Sequence, residues 1–304
     1  MGGGSAVRQH QRRFLQGEPE ETGRKEECEG AYWMVKSFGG YEVRETEGGE
    51  YELVKGGIVI GTFSEARVEE ERILFLLSRG MLLEVSEGGI REIATPDKAI
   101  LMGMIASDGS NTFRREQRSE GGYRTEYSIR FYSEDKELVR TFDEVSEKTY
   151  DTASHHYVRK RNGLITATIY NKGVFYDLND LGLKPAPYEF HVPIEHLDNE
   201  GKKAFLKGFF SGDGNVSVSE GRIMIRFYST CRSGIEELHQ IFKDLGFHPN
   251  EIKKEEESRG RITYNFTIPA EEHVKFIDEI GSYKPKHILI FKEYKRRLED
   301  REKE

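Results

Sequence analysis

Two aspartates close matching nine-residue segments, "LMGMIASDG" at 101–109 and "LKGFFSGDG" at 206–214. Gly103 and Ser107 are four residues apart in the first segment, and Gly208 and Gly212 in the second. Residues at this spacing share one face of a helix. Small residues there let two helix backbones approach closely. Leu101, Met104 and Ile105, and Leu206, Phe209 and Phe210, would supply the surrounding apolar contacts. Two such helices, packed through their small faces, would bring Asp108 beside Asp213 at their C-termini. Both the helix dipole and the second carboxylate oppose a negative charge there. A divalent cation relieves that repulsion. Hard divalent cations take carboxylate oxygens as ligands. A single Asp-Gly needs no explanation beyond a glycine ending a helix; two in matched surroundings do.

The elements around the aspartates are also written twice. "IRFYS" occurs at 129–133 and at 225–229. Alternation along such a strand places Ile and Phe toward a core and Arg and Tyr outward. Each copy follows a Ser-Glu-Gly turn, at 119–121 and 219–221, which predicts a β-hairpin. Downstream, "NGLITATIY" (162–170) parallels "RGRITYNFTI" (259–268). Helix-like segments then end at Gly182 and Gly281, each followed by Lys-Pro, at 184–185 and 284–285. Both halves read helix, strand, strand, helix, strand, strand, helix. Residues 97–304 are therefore a tandem duplication of a unit of about 100 residues, a pseudo-two-fold pair rather than a solenoid.

This combination of motif, order and duplication resembles the LAGLIDADG homing endonucleases, over residues 97 to about 290. The resemblance implies an α+β fold: a monomer with two pseudo-symmetric αββαββα halves whose four-stranded sheets form a saddle on double-stranded DNA at a long asymmetric site. It also implies that Asp108 and Asp213, the last acids of the two motifs, are the catalytic residues and hold Mg²⁺ for phosphodiester hydrolysis. Family members often carry a lysine after the second strand of each half, where this chain has Glu134 and Thr230; Lys136 and Arg232 are the nearest basic candidates for an auxiliary role. That departure keeps a second reading open, a non-cleaving DNA-binding regulator or an RNA-splicing maturase on the same fold, with RNA as partner. A splicing intein is not expected: no Cys or Ser stands at residue 1 and no His-Asn at the end.

The outward strand positions form the candidate nucleic-acid face. They are Arg124, Ser128, Arg130, Tyr132, Thr166 and Thr168 in the first half, and Arg222, Arg226, Tyr228, Arg261, Thr263 and Asn265 in the second. Arg reads guanine, and Thr and Asn meet base edges or phosphates. None of these positions is acidic. Arg114, Arg115 and Arg118, and Arg159, Lys160 and Arg161, are expected in hairpin loops, where they suit phosphate contacts. Adjacent His155 and His156 lack ligand-like spacing. The runs at 253–257 and 295–304 read as solvated, the latter as a helical tail.

The totals bound the rest. The net charge of −8 comes from 46 basic and 54 acidic residues, but 34 basic and 36 acidic residues lie in 97–304, so the excess acid sits in the first third. No apolar run reaches the roughly 18 residues of a membrane span. Two cysteines, Cys28 and Cys231, form no metal spacing and suggest a reducing, intracellular setting, cytoplasmic in a prokaryote or archaeon. The dominance of Glu, Lys and Arg hints at a thermophile. Residues 1–30 read as a disordered lead and 31–96 as a small accessory α+β domain, followed by halves at 97–197 and 198–304. Within the accessory domain, short β-like runs over 31–63 precede an expected helix at 64–78 capped by Ser64, then a final strand "MLLEV". The stretch "EERILFLLSRGMLLEV" faintly resembles the N-terminal domain of archaeal tRNA-splicing endonucleases.

Overall fold

The computed structural model describes residues 32–117, 122–183, 189–219, 222–256 and 260–302. They form two compact units: the residues up to 76 with 83–91, and residues 77–82 with 92–304. The Ser-Glu-Gly turns and Lys184-Pro185 fall wholly or partly outside the described residues.

The N-terminal part consists of two antiparallel meanders. Strands β1 (Tyr32–Phe38), β2 (Tyr41–Thr46), β3 (Tyr51–Lys55) and β4 (Ile58–Phe63) form one sheet. Strands β5 (Ala66–Val68), β6 (Arg72–Leu76), β7 (Met81–Ser86) and β8 (Gly89–Ala94) form the other. The helix expected over 64–78 is thus a β-hairpin, with Ala66 paired to Phe75 and Val68 to Ile73. Ile73, Leu74 and Phe75 are consecutive and all buried. A helix would spread three consecutive residues around its circumference, whereas a strand covered on both faces buries them together. The turn between the strands is held by Glu69, whose N–H donates to the Arg72 carbonyl and whose carboxylate pairs with Arg67 and Arg72. Those two guanidiniums hold the Glu69 carboxyl below its ordinary range, against the opposing effect of burial.

The duplicated unit follows. Its first half runs α1 (Pro96–Asp108), β9 (Gly109–Gln117), β10 (Tyr123–Ser133), α2 (Lys136–Tyr150), β11 (His155–Val158), β12 (Ile165–Ile169) and α3 (Lys172–Asp180). The second runs α4 (Asn199–Asp213), β13 (Gly214–Ser219), β14 (Arg222–Ser229), α5 (Arg232–Asp244), β15 (Lys253–Glu256), β16 (Ile262–Ile268), α6 (His273–Glu279) and the terminal α7 (Pro285–Glu302). The sheet orders are β11-β12-β10-β9 and β13-β14-β16-β15, all antiparallel. In both, the repeated strand is central. Ile129, Phe131, Ile225 and Phe227 are fully buried, as the alternation of "IRFYS" requires. Phe131 stacks on Phe142, and Phe227 sits among Phe210, Phe242, Phe266 and Phe276. The run at 253–256, read from the sequence as a solvated mixed-charge segment, is edge strand β15, and all four of its side chains are exposed.

Helices α1 and α4 pack most extensively on each other. Thr95 caps α1 by accepting from the Lys98 N–H, and Pro96 opens its first turn. Asp198 caps α4. A methyl group built on Gly103 would lie 2.2 Å from the Phe205 carbonyl oxygen, and one on Gly208 would lie 2.3 Å from that of Ile100. No side chain fits between two backbones so close. Gly103→Ala and Gly208→Ala are each expected to lower stability by at least about 2 kcal/mol, read from the urea midpoint of the full chain. Unchanged midpoints would contradict this contact.

Candidate nucleic-acid interface and active site

Each motif helix runs directly into a strand. Gly109 (φ −115, ψ 179) and Gly214 (φ −73, ψ 150) are extended, so neither Asp-Gly ends its helix through a left-handed glycine. The reason for glycine is space. A Cβ on Gly109 would meet Ile105 Cα at 2.5 Å, and one on Gly214 would meet the Phe210 carbonyl oxygen at 2.3 Å. The strand leaves across the last helical turn, and only a bare backbone passes. Asp108 and Asp213 therefore sit where both helices end and both sheets begin.

The two carboxylates line one cavity of about 240 Å³. Gly212, packed on Ser107, would place a Cβ only 3.2 Å from Asp108 Oδ2. Burial pushes the Asp108 carboxyl above its ordinary pKa, and Lys284 partly offsets this. Asp213 rises to about 7, mainly through burial and then through the Asp108 charge; Lys284 and Arg261 act the other way. Lys284 is the cation common to both aspartates, and its Nζ also donates to the Gly212 carbonyl at 3.5 Å, at the C-terminal end of α4. No sequence periodicity links it to the aspartates. Its only signal was the Lys-Pro pair, read as punctuation after a helix.

The proposed auxiliary residues lie elsewhere. Lys136 opens α2 as an exposed side chain, and Arg232 is exposed and paired with Glu236 at 2.8 Å. Neither lines the cavity, although Thr230 does. Other lining groups are Ser110, Asn111, Glu189, Tyr228, Ser229, Arg261 and Thr263. Among the described residues no cluster of three or more His, Cys, Asp or Glu side chains could enclose a metal ion. Two half-buried carboxylates without a third ligand fit Mg²⁺, which keeps waters and takes substrate phosphate oxygens rather than a protein cage.

Strand pairing fixes the open faces of the sheets. In the first half, Ser110 opposes Arg130, Thr112 opposes Ser128, Arg114 opposes Glu126 and Glu116 opposes Arg124. Arg130 and Tyr132 oppose Thr168 and Thr166, which in turn oppose His155 and Tyr157. In the second half, Arg226 opposes Asn215 and Thr267, Tyr228 opposes Asn265, and Lys253 and Glu255 lie opposite Asn265 and Thr263. Arg222 shares this face through its pairing with Ser219. Arg114 and Arg115 belong to strand β9 rather than a loop. Arg115 points to the helix-packed face, its guanidinium 4.0 Å from the Tyr123 ring centre. Arg159, Lys160 and Arg161 are exposed in the β11–β12 turn. Arg118 lies outside the described residues.

The open faces carry acids that the sequence reading did not place there. Arg114 pairs with Glu116 at 3.0 Å, Arg130 approaches Glu126 at 4.0 Å, and Arg226 pairs with Glu255 at 3.6 Å. Ser128, Thr166, Thr168, Thr263 and Asn265 are buried, on the floor of the sheets. The longer Arg and Tyr side chains rise above them.

Against known proteins, residues 200–281 match the profile of the LAGLIDADG-like domain. No curated protein matches the sequence. Among solved structures, I-DmoI in complex with DNA and Mn is 16% identical, with a TM-score of 0.46, covering 61% of this chain and 96% of that one. I-LtrWI, a LAGLIDADG homing endonuclease bound to target DNA, is 14% identical with a TM-score of 0.44, covering 66% of this chain and 91% of that one. Full-length DUF199/WhiA, given as from Thermatoga maritima, is 14% identical with a TM-score of 0.44, covering 68% and 61%.

The raised pKa of Asp213 has a measurable consequence. The folded protein holds a proton near neutrality that the unfolded chain, with an ordinary Asp pKa of about 3.9, has already released. Stability fully present below about pH 4 is therefore lost as pH rises through about 7. In metal-free buffer, Asp213→Asn should flatten that slope and stabilise the protein at about pH 8 by on the order of 2 kcal/mol. An unchanged slope between wild type and variant would show that the carboxylate is not strained.

Proposed function

We propose that this chain, whose residues 200–281 are a LAGLIDADG-like domain and whose residues 96–180 repeat the same element order, is a metal-dependent DNA endonuclease acting on duplex DNA. One observation carries the reading. The cavity shared by Asp108 and Asp213 is lined by open-face residues of both sheets, Ser110 from one and Tyr228 and Thr263 from the other. A duplex lying across both open faces would present its backbone to the two carboxylates.

The residues divide the work. Arg124, Arg130, Arg222 and Arg226 meet DNA from the two faces, and Arg159, Lys160 and Arg161 meet phosphates from a hairpin turn. A two-stranded ribbon fits the major groove. Arg130 and Arg226 would exchange Glu126 and Glu255 for phosphate or guanine. Asp108 and Asp213 would hold Mg²⁺, which would supply charge stabilisation for hydrolysis at phosphorus. Lys284 places a positive charge beside the same carboxylates, where charge develops on the phosphate oxygens. Asp213 must release its proton to bind metal, and its pKa of about 7 makes that release possible near neutral pH. One acid from each half lets one site face both strands.

The alternative, a non-cleaving regulator or maturase on the same fold, is favoured by Glu134 and Thr230, which stand at positions where a helper lysine was expected. Lys284 weakens that objection, because it brings a cation to the aspartates from another segment.

The test is a randomised duplex library incubated with wild type and Asp213→Asn in Mg²⁺ or Mn²⁺. Cleavage should fall by roughly a hundredfold or more in the variant, while duplex binding is kept. Affinity should fall with salt at a slope of about −0.9 per phosphate contacted, and Arg130→Glu and Arg226→Glu should each weaken binding. Equal cleavage by both proteins would remove the aspartates from the chemistry. Salt-dependent binding without cleavage by either would establish the regulator.

A further inference from the structure

Lys284 stands on a short segment between α6 and α7, and a buried polar network fixes that segment. The Ser211 hydroxyl donates to the Lys207 carbonyl at 2.7 Å and accepts the Tyr283 N–H at 2.8 Å. Ser282 Oγ accepts the Lys284 N–H at 3.1 Å, and lies 3.3 Å from Ser211 Oγ and 3.1 Å from His287 Nδ1. Ser211 is fully buried, Ser282 is 7% exposed and His287 is 3% exposed. Burial and the neighbouring Lys284 and Lys286 push His287 down to about 4, so its ring is neutral near pH 7. Ser211's proton is committed to the Lys207 carbonyl. A neutral His287 protonated at Nδ1 donates to Ser282 Oγ, which leaves the Ser282 proton for Ser211 Oγ and a Ser282 lone pair for the Lys284 amide; in the other tautomer Ser282 donates to Nδ1. The His287 ring lies 5.1 Å from that of Phe210, on the motif helix itself.

The residues on either side of Lys284 are fixed as well. Tyr283 is tied to Ser211, two residues before Asp213. Pro285 opens α7, whose first turn bonds back to the Lys284 carbonyl from His287 N–H at 2.9 Å and Ile288 N–H at 3.1 Å. The backbone of Lys284 is thus held at both its N–H and its carbonyl, leaving only side-chain rotamers free. Such a hold converts a flexible, entropically costly ammonium into a placed charge.

The first half lacks the parts. Ala106 stands where motif two has Ser211. "LGLKP" replaces "IGSYKP", one residue shorter and without the serine, and Pro187 occupies the place, three residues past the lysine, that His287 takes in the second half. There a different side chain acts. Asn111, buried on β9, donates to the Phe175 and Leu183 carbonyls at 3.3 and 2.9 Å, and its counterpart in the second half is Val216.

We propose that Ser282, seated by Ser211 and His287, is a positioning residue that fixes Lys284 beside the Asp108–Asp213 pair, and that because the first half has Ala106, no serine and Pro187 at the matching sequence positions, its loss falls unequally on the two strands of the duplex. The inference rests on the endonuclease reading above. A residue that merely held the fold would slow both strands alike.

The experiment follows each strand of an end-labelled duplex under saturating protein in Mg²⁺, for wild type, Ser282→Ala, Lys284→Ala and the double variant, alongside amide hydrogen exchange of the full chain. Ser282→Ala and Lys284→Ala should each slow one strand by roughly tenfold or more and accumulate the same nicked intermediate, with duplex affinity kept within about twofold. The double variant should be no slower than Lys284→Ala, since both act through one group. The Tyr283 and Lys284 amides should exchange faster in Ser282→Ala. Equal slowing of both strands, full additivity in the double variant, or wild-type rates in Ser282→Ala would overturn the positioning role while leaving the endonuclease intact. A wild type that cuts neither strand would overturn the endonuclease reading, and this role with it. Should Ser282→Ala fail to fold, Ser211→Ala removes the same support from the other side and is scored by the same strand ratio.

Discussion

The fit of α1 against α4 is the constraint from which the rest of the duplicated unit follows. Gly103 and Gly208 each face a carbonyl of the opposite helix with no room for a Cβ, so the two backbones pack without side chains between them there. At that separation the helix ends cannot diverge within one turn, and whatever residue closes each helix must meet its counterpart. Ser107 against Gly212 continues the contact to the last turn. The aspartates are together because the glycines upstream leave nothing to hold them apart. The sheets inherit their placement from the same contact, since each begins at the residue after an aspartate.

Bringing two carboxylates together at the negative ends of two helices is unfavourable, and the protein distributes the strain. Asp108 and Asp213 both resist ionisation, chiefly because they are half-buried. Lys284 opposes this at both, without a direct ion pair to either among the described residues. A tight lysine–aspartate bridge would neutralise the site and compete with any cation. A lysine at a distance lowers the repulsion yet leaves the carboxylate oxygens available. The open faces follow the same pattern on a larger scale. Glu126 and Glu255 stand beside Arg130 and Arg226 in weak, partly exposed contacts of the kind worth under about 1 kcal/mol, which a phosphate can replace at little cost.

Much of this was legible in the sequence because duplication and periodicity are local signals. "IRFYS", written twice, gave both central strands and their buried sides, and the four-residue spacing of small residues gave the helix contact. The aspartates followed from both. What was not legible depended on distance or on competing patterns. Lys284 lies 71 residues beyond Asp213, and no periodicity links a loop residue to a helix end. Residues 64–78 carry a helix-like composition, but Ile73, Leu74 and Phe75 point to alternate faces of strand β6 and are all buried, and that burial outweighs propensity. Arg115 was placed with Arg114 because the hairpin extends further than its turn signals implied; once both are in a strand, adjacent residues must face opposite ways. A glycine ending a helix would account for one Asp-Gly but not for two in matched surroundings, and at both the backbone is extended and the need for glycine is steric, which no local pattern shows.

The two halves are equal in architecture and unequal in polar detail, and the difference follows from what each must support. Pseudo-symmetry is demanded where the halves touch: at the glycines, the aspartates and the buried strand residues, where any change would be felt by both. Away from that seam each half is free to solve the same local problem differently. The segment that follows the third helix is fastened by Asn111 in the first half and by Ser211, Ser282 and His287 in the second. Val216 could not do what Asn111 does, nor Ala106 what Ser211 does. A homodimer must use one solution at both sites. A fused pair can set each site independently, and an asymmetric duplex would meet two unlike surroundings for two like aspartates. The duplication thus keeps the carboxylate pair fixed while leaving its supports free to diverge.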